Sequence, residues 1–77
     1  MIQVAKKSDQ QFLVTVEEHG SKTEHNVTLD EEYYQALTGG KITQEQLIKS
    51  SFKFLLERES KESILPQFTM RIIKTFL

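Results

Sequence analysis

Two runs with a strict two-residue period, Phe12-Val14-Val16 and Thr23-His25-Val27-Leu29, flank the dipeptide Gly20-Ser21. Nothing else constrains this chain as tightly. A two-residue period places every second side chain on one face of an extended strand. Gly at the first central position of a two-residue loop suits a type II′ hairpin, because it accepts positive φ without a Cβ clash. That loop predicts pairing of Val16 with His25, Val14 with Val27 and Phe12 with Leu29, all on one face. It also sets Glu17 opposite Glu24, a like-charge pair tolerable only in solvent. Upstream, Ile2 and Val4 alternate with Gln3 and Ala5. A turn at Ser8-Asp9-Gln10 then pairs Val4 with Val14 and Ile2 with Val16. The expectation is a three-stranded antiparallel meander over about 1–7, 11–18 and 22–29, with the second strand central.

The period changes after Leu29. Asp30 is a good N-cap, and Glu31 and Glu32 put negative charge where the helix dipole favours it. Tyr33, Tyr34 and Leu37 supply an apolar stripe, one tyrosine in the core and the other at its rim, before Gly39 closes a helix over 30–38. Thr43 followed three residues later by Gln46 is a capping box, with Ile42 and Leu47 as its hydrophobic staple. Leu47, Ile48, Ser51, Phe52, Leu55 and Leu56 recur at helical spacing and predict a helix over about 43–58. Phe54 falls off that stripe. Residues 60–65 suit a short helix stopped near Pro66. Thr69 is placed to cap a last helix over about 69–76, carrying Met70, Ile72, Ile73, Phe76 and Leu77. An apolar end of this kind either docks on the core or marks a cut within a helix. The predicted fold class is therefore α+β, a single domain spanning 1–77: the meander first, then three or four helices packed on one sheet face.

Composition narrows the functions open to such a domain. Its 77 residues contain no cysteine, which excludes a disulfide framework, a thiolate zinc site and a thiol nucleophile. The net charge is −1. Residues 1–29 hold three basic and four acidic groups and residues 30–77 seven of each, so neither part conceals a basic patch. The longest apolar runs, three or four residues, are too short for a transmembrane helix or a signal-peptide core. A soluble, cytoplasmic domain is expected, without a membrane partner.

The candidate chemistry is thin. His19 and His25 lie in the hairpin, one at the turn and one on the apolar side, so they diverge and cannot share a metal. No Gly-x-Ser-x-Gly elbow occurs. Of the acidic pairs, Glu31-Glu32 is explained by its helix start, while Glu17-Glu18 and Glu57/Glu59 read as solvated. Gly39-Gly40-Lys41 lacks the rest of a phosphate loop and reads as a C-cap. Tyr33-Tyr34 has acidic neighbours where a base-stacking platform needs basic ones. The expectation is no enzyme, no cofactor and no metal.

Two resemblances add to this reading. The stretch from His25 through Glu32, a short helix, then Ile42 to Lys49 with Phe52 and Leu55, resembles ribbon–helix–helix regulators over residues 25–56. In that family a strand pairs across a dimer and enters the major groove. The resemblance implies Lys22, Asn26, Thr28 and Lys49 as DNA contacts. The first helix is shorter here than in that family, and the outward strand positions include Glu24 where base-reading strands prefer Arg, Lys, Asn or Gln. Val27 to Tyr34, Leu37 to Thr43, Ser51 to Glu59 and Lys61 to Leu65 are similar to a group of short, uncharacterised prokaryotic proteins over most of 15–77. That resemblance implies a kind and a compartment but no mechanism.

The function expected is a non-catalytic interaction module that binds a protein partner or itself. An exposed sheet edge and the leftover apolar residues Leu13, Phe54, Phe76 and Leu77 form its candidate surface. A dimeric DNA-binding regulator or antitoxin of the ribbon–helix–helix kind is the alternative.

Overall fold

A computed structural model describes residues 1–71 of the chain. Its sheet has four strands in the order β1-β2-β3-β4: β1 (Ile2–Lys6), β2 (Gln11–Glu18), β3 (Ser21–Thr28) and β4 (Gln67–Thr69). The first three form the antiparallel meander, and β4 joins parallel to β3. Parallel neighbours need a long crossover. Here it carries two α-helices, α1 (Glu31–Thr38) and α2 (Gln44–Leu56), and a single 3-10 turn at Lys61–Ser63.

This corrects the expectation of three antiparallel strands followed by three or four helices. Gln67–Thr69, at the expected start of a last helix, is extended instead, because Asn26 N–H donates to the Pro66 carbonyl at 2.7 Å and the residues that follow pair with β3, Asn26 facing Gln67 and Thr28 facing Thr69. Phe68 then alternates inward like any strand residue. The expected 60–65 helix contracts to the 3-10 turn, capped at Ile64 by a bond from its N–H to Lys61. Met70 and Arg71, beyond β4, enter a 3-10 turn, and residues 72–76 of the expected last helix lie outside the described residues.

The hairpin register also differs. Val4 faces Val14 and Ile2 faces Val16 as the pattern predicts. Between β2 and β3, however, Val16 faces Thr23, Val14 faces His25 and Phe12 faces Val27. The turn centres on His19-Gly20, with φ of 54° and 79°, the two positive values that a type I′ turn requires. Moving the turn by one position slides the pairing by two residues, so every side chain keeps its face. The slide also replaces the Glu17/Glu24 clash with Glu17 opposite Lys22 and Glu24 opposite Thr15. Opposite charges across a strand pair favour this register.

The helix starts follow their caps. Asp30 accepts from Tyr33 N–H, and Thr43 and Gln46 form the reciprocal capping box. Gly39, at φ 61°, ends α1 in the left-handed region. Phe12, Val14, Val16, Val27 and Phe68 from the sheet meet Tyr33, Tyr34, Ile48, Phe52 and Leu55 from the helices in one core, to which Leu29, Ile64 and Met70 add. Both tyrosines are buried, where one was expected at the rim; the Tyr34 hydroxyl donates to the Ile42 carbonyl, which satisfies its polar end. Leu37, expected in the apolar stripe, is half exposed.

Candidate interaction surface

Among the described residues, the helices pack on one face of the sheet. On the other face the register sets Ala5, Leu13, Asn26 and Gln67 in one cross-strand row. Gln3, Thr15 and Glu24 form the next row, and Gln11, Thr28 and Thr69 the one on the far side. Leu13, the large apolar residue of these rows, is half-buried at the centre of β2. Thr28 Oγ1 accepts from Gln11 Nε2 at 2.9 Å, which ties two neighbouring positions of this face together. The face is polar and close to neutral, with Leu13 at its centre.

Phe54 lies elsewhere, on α2, half-buried beneath Arg58, whose guanidinium carbon stands 4.2 Å from the ring centroid. Arginine over an aromatic face gains both packing and cation–π attraction. Leu13 and Phe54 therefore belong to different sides of the molecule. Phe76 and Leu77 lie outside the described residues. Of the residues implied as DNA contacts, Lys22, Asn26 and Thr28 share the open sheet face. Lys49 is exposed on α2, behind the sheet, and does not join them.

The polar groups that are buried serve the fold. His25 is 1% exposed on the core face of β3. Its Nδ1 lies 2.8 Å from the Leu65 carbonyl and its Nε2 2.8 Å from Thr23 Oγ1. A carbonyl can only accept, so Nδ1 carries the proton and Nε2 is left to accept from the Thr23 hydroxyl. The ring also packs against Phe52 at 5.4 Å between centroids, and Phe52 against Phe68 at 5.9 Å. One histidine thus joins β3, α2 and the lead-in to β4. Lys61, 7% exposed, places its ammonium 2.7 Å from Glu62, which holds the Glu62 carboxyl below its ordinary value.

A depression of about 630 Å³ opens beside Lys6, Asp9, Glu31 and Gln44. Gln44 crosses it, accepting from Lys6 Nζ at 3.4 Å and donating to Glu31 at 3.2 Å. The site is polar, shallow and bridged by its own side chains. His19, 89% exposed at its side chain, stands at the turn, apart from His25. Among the described residues no three His, Asp or Glu side chains gather into a metal-holding group. No helix among them is long and apolar enough to cross a membrane.

Sequence reasoning missed β4, the His25–Leu65 bridge and the pairing of Asp30 with Arg71. A signal existed for the first: Gln67-Phe68-Thr69-Met70 alternates polar with apolar directly after a proline. The other two depend on contacts 40 and 41 residues apart, which no local pattern encodes. No protein-family model, curated protein or solved structure matches the chain.

Proposed function

We propose that this chain is a small, non-catalytic, cytoplasmic interaction module, and that its partners are proteins, a second copy of itself first among them. The carrying observation is the uncovered sheet face with Leu13 half-buried at its centre. A sheet that invests its apolar residues on one side and keeps a nearly neutral surface around Leu13 on the other is suited to contact rather than chemistry. The one buried histidine supports this, since one of its nitrogens ties β3 to Leu65 and the other is held by Thr23 of the same strand. The likeness to short prokaryotic proteins fits the same compartment.

The ribbon–helix–helix reading is the less favoured one. Its strand must pair with a dimer mate, and β3 is already paired with β2 along its length and with β4 over Asn26 to Thr28. Its proposed contacts are also divided between the open face and the far side of α2.

A photo-reactive residue in place of Leu13 tests the proposal. In cells it should yield a discrete protein adduct. Duplex binding that steepens at low salt and is lost on Lys22→Ala, with no adduct at position 13, would overturn it.

A further inference from the structure

We infer that two copies of this chain join along β1, antiparallel about a two-fold axis, into one continuous sheet. The inference rests on the interaction-module reading and names its partner.

The hydrogen-bond phase of the meander carries the argument. Glu17 N–H donates to Met1 O at 2.8 Å, and Lys7 N–H to Gln11 O at 2.7 Å. Antiparallel ladders bond at alternate residue pairs. With Ile2 opposite Val16 and Val4 opposite Val14, the bonded residues of β1 are therefore Met1, Gln3, Ala5 and Lys7. Ile2, Val4 and Lys6 aim their N–H and C=O groups away from β2. Strand order leaves β1 at the edge of the sheet, and among the described residues nothing accepts or donates to those groups.

This edge matches itself. A two-fold register with Val4 opposite the copy's Val4 puts Ile2 opposite the copy's Lys6. All of the outward groups then find partners, with none left over. On the core side the half-buried Ile2 and Val4 gain the copy's valine and the apolar stem of its Lys6. On the open side Gln3 meets the copy's Ala5. The pairing is isologous and closes at two copies.

Although α2 packs against β1, Ile2 and Val4 remain only partly buried, and the other usual guards of an edge are weak here. β1 contains no proline and no bulge. Its one charge, Lys6, is drawn back toward Gln44 and stands 6.0 Å from the Phe12 centroid. A foreign extended peptide could use the same groups, but only a second copy brings this matched set. A seam of five-residue strands is small beside the ~1,200–2,000 Å² of stable interfaces, so the dimer is weak.

Sedimentation equilibrium and amide exchange of ¹⁵N-labelled chain, carried to about 1 mM where contacts of a few kcal/mol are populated, test this. Mass should rise toward the dimer. Val4 and Lys6 amides should gain protection with concentration, while Gln3 and Ala5 amides, already bonded to β2, stay unchanged. Val4→Pro removes an edge donor without removing an intrachain bond and should weaken association at least about tenfold. Lys6→Pro does the same at an exposed position, should Val4→Pro disturb the strand. A monomer at the highest concentration, or a dimer that survives both prolines, overturns the seam. A foreign protein captured at position 13 by a monomeric chain sinks the seam and spares the module. A β1 dimer that binds duplex in a salt-dependent way does the reverse.

Discussion

Arg71 grips Asp30 by both carboxylate oxygens, Nε donating to Oδ2 at 2.7 Å and Nη2 to Oδ1 at 2.9 Å. The same Oδ1 accepts the N–H of Tyr33 at 2.8 Å, and the guanidinium carbon stands 5.1 Å from the Tyr33 ring centroid. The cap that starts α1 is therefore also the anchor for the chain just after β4. Arg71 holds the Asp30 carboxyl below its ordinary value, with help from Tyr33 N–H, and Asp30 in turn raises the Arg71 guanidinium.

This relationship sets an acid sensitivity. A carboxyl whose folded-state pKa is depressed stabilises the fold above its unfolded value of about 4, and that contribution is lost as pH falls toward the folded value. Glu62, depressed by Lys61, acts in the same direction. The urea midpoint should thus fall below about pH 4. Asp30→Asn keeps a capping oxygen but removes the charge, so its midpoint should decline less steeply there. Parallel declines in the two proteins would show that the pairing contributes nothing. Because the pair is exposed, added salt should shrink the difference.

His25→Phe should destabilise by about 1–3 kcal/mol, since it leaves the Leu65 carbonyl and the Thr23 hydroxyl without their partner. Adding Thr23→Val should recover part of the loss, because one orphaned group is then removed. Urea denaturation reads both. A loss under about 0.5 kcal/mol would mean that water replaces the ring.

At the hairpin, His19 occupies a left-handed conformation that asparagine adopts more readily. His19→Asn should stabilise by about 0.5 kcal/mol and raise the thermal midpoint, whereas Gly20→Ala should cost about 1 kcal/mol. An unchanged midpoint for Gly20→Ala would contradict the turn.

Phe52 and Phe54 lie two residues apart on α2 but differ sharply in setting. Phe52 is fully buried between His25 and Phe68, while Phe54 is half-buried under Arg58. Phe52→Ala should cost about 3–5 kcal/mol, comparable to what a single small core supplies. Its NMR spectrum should lose dispersion, and that of Phe54→Ala should not.

Much of this molecule is legible in its sequence. Alternation assigned each meander residue to its face, and the caps at Asp30 and Thr43 placed both helices. The β2–β3 register differs from the expected one by two residues because His19 takes a left-handed position usually left to Gly or Asn, and a shift of two leaves the apolar pattern unchanged. Only the Glu17/Glu24 clash hinted at the alternative. The β4 strand escaped because three residues are too few to distinguish a strand from a helical turn, and its partner lies forty residues away. As for the site, Leu13 could be singled out as an apolar residue on the polar side. That Lys49 sits behind the sheet from Lys22, Asn26 and Thr28 depends on where the crossover carries α2.

The parallel pairing of β4 with β3 orders events in time. The meander and both helices close through short loops, so they can assemble while the chain is still being made. Asn26 to Thr28 and the inner nitrogen of His25 must wait for Leu65 to Thr69, and joining ends so far apart is the slow kind of contact. During that interval β3 is itself an open edge. The nascent chain is then most exposed to mispairing, and the last strand to arrive closes that edge over Asn26 to Thr28.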